Sequence, residues 1–408
     1  MRIVQVCPYS WSARGGVQTH VRHLSRVLSA RGHDVLVLAA GPLRHHHAST
    51  PTLADKGRDD TDRPTIRMIG RSIQIPFNGS VAPVCVDPRC VPIVRDALRE
   101  FRPDVVHVHE PFVPAVSLSA VWLTTAPVVA TFHAYCPPSV DAWLSRVATR
   151  CLWPVGRRIA VRLSVSRTAA SYAESRVGGD MRIVPNGVDV EAFARALPAS
   201  LTSGRTLLWV GRLDRRKGFD IAVRAFSALC ERYPDLSLLV VGSGPCRHVV
   251  DGVPLHVRRR IVMMGDVDDD RLPSVYAAGD VFIAPAIEGE SFGVVLLEAM
   301  AAGRPIVATG IEGYCDVVRA DIDALVVRPR DAESLGEAIA RILDDRLLAS
   351  RLALAAKERV QQFGWAVVTD AIEEIYRELV RTTVVKPGGA GWMPRGAAAR
   401  GVAPGVAK

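Results

Sequence analysis

Short apolar runs rich in β-branched residues alternate with amphipathic helical stretches along almost the whole chain, and that alternation leaves few folds open. Residues 3–7 read as a strand, and 17–30 as a helix with Val21, Leu24, Val27 and Leu28 on one face. Gly32 ends that helix, and strands follow at 35–39, 105–109, 128–132 and about 158–164. Strands this apolar are buried on both faces, so helices must cover both sides of a parallel sheet. The turn cluster Pro185-Asn186-Gly187-Val188-Asp189 interrupts the series. It then restarts with strands at 206–210, 236–241, 260–264, 281–284 and 306–308 and a helix over 219–233. The prediction is an α/β protein of two Rossmann-like, doubly wound domains facing a cleft, 1–185 and 186–365. A C-terminal helix over 366–383 crosses back toward the first domain, and a disordered tail covers 384–408. That tail has six Gly, three Pro and four basic residues without an acid, a composition that builds no core.

Composition removes other classes. The 408 residues are 49% hydrophobic and 23% charged, which excludes a disordered chain. The net charge of +9 comes with no basic stripe interleaved with aromatics, so nucleic acid is not an expected partner. Only Lys56, Lys217, Lys357, Lys386 and Lys408 are lysines among 51 basic residues, so each deserves inspection. The eight Cys form no C-x-x-C pair and read as reduced cytosolic thiols. No signal peptide is visible, because Pro8 stops the first apolar run. Residues 111–132 lack charge over about the length of a membrane span. Pro111, Pro114 and Pro127 break that stretch, which reads better as a buried helix and strand. Residues 42–67 read as a polar, irregular surface loop. It holds His45-His46-His47, whose adjacent side chains do not converge on one ion.

Loops at strand ends carry the chemistry. Tyr9-Ser10-Trp11-Ser12-Ala13-Arg14-Gly15-Gly16-Val17 leaves the first strand and opens a helix. Paired glycines let backbone approach a ligand, and helix amides attract an anion. The same pattern also suits a plain tight turn, and it is not the G-x-G-x-x-G dinucleotide fingerprint. Gly211-Arg212-Leu213-Asp214-Arg215-Arg216-Lys217-Gly218 leaves the first strand of the second domain. Arg212 and Lys217 can fold over one anion there, a planar fork and a point charge suited to a diphosphate; the competing reading is a solvated basic loop.

The third loop, Glu288-Gly289-Glu290-Ser291-Phe292-Gly293-Val294, leads a helix that starts near Phe292 or Gly293 and is ended by Gly303 and Pro305. Carboxylates beside a phosphate site repel phosphate. Glu290 and Glu298 therefore read as acceptors for sugar hydroxyls, one for a transferred sugar and one for a ribose. Glu298 lies in an apolar run and needs a partner. His133 ends the strand at 128–132 and reads as a site residue. His107 and His109 share a strand face, with no third metal ligand at a recognisable spacing. Asp268-Asp269-Asp270 reads as an acidic turn before a helix rather than a metal motif.

Together these residues resemble a retaining glycosyltransferase of family 4, with the two-Rossmann GT-B architecture, over residues 1–383. Further matching stretches are Cys7-Pro8-Tyr9-Ser10, Gly15-Gly16-Val17-Gln18, Pro76-Phe77-Asn78-Gly79-Ser80-Val81-Ala82, His109-Glu110-Pro111 and Val129-Ala130-Thr131-Phe132-His133. Within the family the likeness is greatest to mannosyltransferases that act on phosphatidylinositol. The resemblance implies that Gly15 and Gly16 border the donor diphosphate and that Arg212 and Lys217 neutralise it as it leaves. It places Glu290 on hydroxyls of the transferred sugar, with Ser291, Phe292, Gly293 and Val294 close by, and Glu298 on the nucleotide ribose. His133 meets the sugar near the reacting carbon, and Tyr9 and Gln18 lie on the acceptor side. Mannose from GDP-mannose is the implied transfer. No cofactor or metal is expected, the nucleotide-sugar being a substrate. The expected partners are that donor and a lipid or small-molecule acceptor, in the cytoplasm or at the inner face of the cell membrane.

The chain departs from the family on the acceptor side. Asp96 and Glu100 offset the basic residues of the 92–100 stretch, and Ala134-Tyr135-Cys136-Pro137-Pro138 replaces a Thr/Ser-rich run. Three alternatives stand beside this reading: a UDP-sugar transferase for another acceptor, a nucleotide-sugar 2-epimerase, and a non-catalytic binder. A dinucleotide oxidoreductase would need the third glycine that 241–247 lacks.

Overall fold

The first apolar run becomes β1 (Arg2–Ser10), on which the N-terminal sheet is built. The computed structural model describes residues 1–13, 15–42, 63–77, 80–136 and 154–384. β1 lies between β2 (Asp34–Ala40) and β6 (Val105–His109), both parallel to it. With β3 (Thr65–Ile69), β7 (Val128–Phe132), β8 (Ile159–Ser164) and β9 (Arg182–Ile183) the order is β3-β2-β1-β6-β7-β8-β9. Every residue of β6 and β7 is buried, as a parallel sheet covered by helices requires.

Two features depart from the expectations. Residues 65–67 are not loop but the start of β3, paired with β2 from Leu36 onward. β4 (Ile73–Phe77) and β5 (Ser80–Val84) form an antiparallel hairpin joined to β1 through Tyr9 and Val84. Buried Cys85 and Cys90 stand at its base with 3.1 Å between Sγ atoms. The uncharged 111–132 stretch holds helix Val116–Leu123 and β7, and among the described residues no helix is long and apolar enough to cross a membrane. His45–His47 and the tail beyond Val384 lie outside the described residues.

The second sheet has β10 (Thr206–Val210), β11 (Ser237–Val241), β12 (Ile261–Gly265), β13 (Val281–Ala284), β14 (Ile306–Thr309) and β15 (Leu325–Val327). Its order is β12-β11-β10-β13-β14-β15, all parallel. Strand order reverses between β10 and β13 here, and between β1 and β6 in the first sheet. At such switch points the carboxyl ends of the strands open a crevice.

The chain passes between the domains twice, side by side. Val188 N–H donates to Phe363 O at 2.9 Å, and Trp365 N–H to Val188 O at 3.3 Å. Helix Trp365–Val384 then crosses to the first domain, as expected. It buries Trp365, Val368, Ile372, Ile375 and Tyr376 against Ile3, Leu24, Leu28, Val35 and Val105. Buried Glu373 accepts from Arg31 and His33, each at 2.9 Å. Burial alone would raise its pKa, but those partners hold it below the ordinary carboxylate value.

The Trp365 ring stacks on His23 and meets His20 edge-on, each at 5.2 Å between centroids. Trp365→Ala should cost about 3–5 kcal/mol, the usual range for a large aromatic cavity. Denaturant unfolding followed by circular dichroism measures it; a loss under about 1 kcal/mol would mean that the crossing helix is not anchored there.

Candidate active site

Two loops meet across the switch point of the second sheet. After β10, the Asp214 carboxylate accepts from Lys217 N–H at 3.0 Å and caps the short turn Arg215–Lys217. That turn directs two cations at the loop after β13. Lys217 Nζ lies 2.8 Å and Arg216 Nη1 2.7 Å from the same atom, Glu290 Oε1. Arg216 also donates to Gly289 O at 2.8 Å. Glu290 is 8% exposed. Burial would raise its pKa, but the Lys217 and Arg216 charges prevail and hold it below the ordinary value, so it is ionised.

The two cations expected over one anion have separate partners in this structure. Arg212 and Lys217 do not close over a common point: Lys217 turns to Glu290, while exposed Arg212 reaches Val81 O on the β4–β5 hairpin at 3.2 Å. Arg216 takes the place beside Lys217. Nothing in the run Arg215-Arg216-Lys217 singles it out; only the turn geometry set by Asp214 does.

The Glu290-x7-Glu298 segment is held from behind. Gly293, at φ +98°, caps helix Val294–Ala301, where a Cβ would stand 2.7 Å from the Tyr314 ring. No side chain caps that helix, leaving its first amides for an anion. A Cβ on Gly313 would stand 2.1 Å from Glu290 O, so the neighbouring backbone fixes the Glu290 loop closely. Ser291 O accepts from Ser166 Oγ of the first domain, and Phe292 is buried against Phe363. Phe292 therefore offers the site its backbone, not its ring. Glu298 accepts from Tyr276 OH at 2.6 Å, which supplies the partner its apolar run demanded. Burial raises its pKa to about 7 despite that hydrogen bond.

On the opposite wall, Gly15 precedes helix Gly16–Ala30. A Cβ on Gly16 would meet nothing within 4 Å, so no packing inside the protein demands a glycine there. Gln18 is buried and donates to Ser10 O at 3.3 Å, bracing the loop. Tyr9 is partly buried against the apolar cluster of Cys7, Val21, Val37 and Ala39.

His133 sits at the end of β7, 7% exposed, within a polar cluster that the spacing of His107 and His109 did not reveal. Gln5 orders that cluster: its Nε2 donates to Tyr376 OH at 2.9 Å, and its Oε1 lies 3.1 Å from His109 Nε2. An oxygen only accepts, so His109 carries its proton on Nε2, and Nδ1 accepts from His133 Nε2–H at 2.9 Å. His107 joins Tyr376 OH at 2.5 Å and Thr131 Oγ1 at 2.7 Å. His20 Nδ1–H donates to Asn186 Oδ1 at 3.0 Å. Burial lowers the pKa of His20 to about 4 and that of His107 to about 3, and depresses His109 and His133 strongly, so all four rings are neutral. Glu110, at φ +49°, accepts from the backbone amides of His133 and Ala134, both at 2.7 Å, and fixes that loop.

Facing parallel sheets, with an anion-ready helix start on one wall and a His-bearing strand end on the other, define a GT-B glycosyltransferase. The Glycosyltransferase Family 4 model matches residues 14–192, and the model described as Glycosyl transferases group 1 matches residues 204–345. The phosphatidyl-myo-inositol mannosyltransferase of Mycolicibacterium smegmatis is 37% identical over 384 residues, covering 92% of this chain and 93% of that protein. Its Mycobacterium leprae counterpart is 35% identical, covering 94% and 98%. Among solved structures, sucrose-phosphate synthase of Thermosynechococcus elongatus aligns with a TM-score of 0.73 at 21% identity, over 94% of this chain and all of that one. Anabaena HepE in complex with UDP-glucose aligns at 0.68 and 17%, over 93% of this chain and all of that one. The chain belongs to glycosyltransferase family 4.

Glu298 titrates far from the ordinary 4.5 of a glutamate, at about 7. The fold therefore favours its protonated form. The associated stability is full below pH 4.5 and is lost as pH rises through 7. Glu298→Gln should abolish that loss, so its Tm relative to the parent should climb across this window. A flat difference would mean that the carboxyl is not strained by burial.

Proposed function

We propose that this chain is a retaining mannosyltransferase that moves mannose from GDP-mannose to a hydroxyl of a phosphatidylinositol-like lipid. The observation that carries the reading is the pair of cations held by Glu290 beside the uncapped start of helix Val294–Ala301. Mannose and the lipid headgroup are supported by what the two mycobacterial relatives are named for. The guanosine diphosphate carrier and retention of configuration follow the family resemblance. On the acceptor side, helix Cys90–Phe101 exposes Val91 and Ile93, while its acids Asp96 and Glu100 are paired with Arg95 and Arg67. The apolar rim of a helix whose own charges cancel suits a peripheral contact with a lipid surface through burial of Val91 and Ile93.

The diphosphate enters between the Gly15–Gly16 turn and the helix start. Lys217 neutralises it, and Arg212 swings from its exposed contact with Val81 O to join it. Glu290 and the backbone of residues 291–294 take the sugar hydroxyls, and Glu298 takes the ribose. The bond from the anomeric carbon to the diphosphate oxygen breaks, its electron pair stays on the diphosphate, and the cations and amides stabilise that charge. The acceptor hydroxyl attacks the same face of the oxocarbenium-like sugar, near His133, and its proton passes to the diphosphate oxygen. Burial depresses the pKa of His133 strongly, which makes it a weak base suited to contact the sugar rather than to remove that proton. No metal takes part in this scheme.

Lys217→Ala and Glu290→Ala should each abolish transfer; near-normal turnover in either would sink the assignment. A donor panel of GDP-mannose and UDP-sugars, with and without lipid extract, should release nucleotide and label product with GDP-mannose and lipid together. EDTA should leave that turnover unchanged.

A further inference from the structure

His20, His109 and His133 bring one ring nitrogen each within 4.8 Å of one another, all three rings buried. Among the described residues this is the one group of three or more His, Cys, Asp or Glu so placed. The three residues come from helix Gly16–Ala30, the end of β6 and the end of β7, so distant parts of the sequence converge. His20 Nε2 is buried with no hydrogen-bond partner, an unexplained vacancy in an otherwise complete polar network. Its Nδ1–H is spent on Asn186, so Nε2 carries a bare lone pair. His109 presents Nδ1 as a lone pair for the same reason, its Nε2–H being held by Gln5 Oε1.

We propose that His20, His109 and His133 form a binding site for a divalent transition ion of the zinc class. Metal-bound imidazoles usually donate the far ring N–H to an oxygen that sets tautomer and orientation, and Asn186 and Gln5 supply such oxygens. His133 completes the set by moving its ring proton from Nε2 to Nδ1. Nε2 then faces the metal, and Nδ1–H turns to Asn186, which already lies within hydrogen-bond reach of this ring and whose Oδ1 keeps a second lone pair after accepting from His20. The proton stays on the ring, so no base is needed. Zinc–nitrogen bonds of about 2.0–2.1 Å at tetrahedral angles put ligand atoms about 3.4 Å apart. His109 Nδ1 and His133 Nε2, now at 2.9 Å, open by a few tenths of an ångström, and His20 closes in. Three protein ligands leave the fourth tetrahedral position for water.

The test uses Co2+ as a spectroscopic probe of the full chain. One equivalent should give the visible band of a four-coordinate site, and one equivalent of Zn2+ should bleach it. His20→Gln should lose the band while keeping the parent's circular dichroism. A variant with His45, His46 and His47 all changed to Ala should keep it. Zn2+ should also raise the Tm of the parent and not that of His20→Gln, a reading that survives if another ligand variant fails to fold. No band in the parent, or a band that persists in His20→Gln, overturns the site; so does loss of the band in the triple-alanine variant. Where Zn2+ fills the site it takes His133 Nε2, so transfer should fall at least tenfold and recover with EDTA. That last arm rests on the function proposed above. The cobalt band with unaffected transfer would overturn His133's place beside the sugar and leave the metal site standing.

Discussion

The carboxylate of Glu290 organises the second domain's half of the cleft. A buried anion is expensive unless it is paired, and here one oxygen is shared by two cations from a different loop. The pairing joins the strand-end loops of β10 and β13 across the point where strand order reverses. Glu290 pairs with both Lys217 and Arg216, so the Lys217 charge that would receive a diphosphate is stored without being left unpaired. Gly313 and Tyr314 press on this arrangement from behind, which leaves the Glu290 loop little freedom to follow a misplaced donor.

The opposite wall is built differently. Its floor is polar but uncharged: four neutral imidazoles, Gln5, Thr131, Tyr376 and Asn186 exchange hydrogen bonds in a low-dielectric setting where each lost bond is costly. Through Tyr376 this floor is tied to the crossing helix, and through Asn186 to the passage between the domains. His133 is thus positioned by residues from both ends of the chain, and Glu110 fixes its backbone at the price of a left-handed φ.

The parallel sheets were legible because their strands are apolar on both faces and separated by stretches of helical period. β15, three residues long, and the β4–β5 hairpin carry no such period, and both were missed. The Glu290 and Lys217 loops were legible because they lie just past strand ends. Their pairing with each other was not, since Arg212, Arg215 and Arg216 differ only in how a capped turn aims them. His20 was invisible for a longer-range reason. It lies beside the apolar stripe of its helix and is covered by Trp365, hundreds of residues away. No local pattern reports such cover. Likewise, the stretch at 105–109 showed that His107 and His109 share a face but not what the face meets.

The crossing helix has a consequence for how the protein is made. Ile3, Leu24, Leu28, Val35 and Val105 find their apolar cover in Trp365, Val368, Ile372, Ile375 and Tyr376. During synthesis the N-terminal sheet emerges first, yet this face stays bare until nearly the whole chain has left the ribosome. The second domain, whose two core clusters draw almost entirely on residues from Val188 to Phe363, can close earlier. The part of the protein translated first is therefore the last to be sealed, and in that interval it is the part most exposed to chaperones and to aggregation.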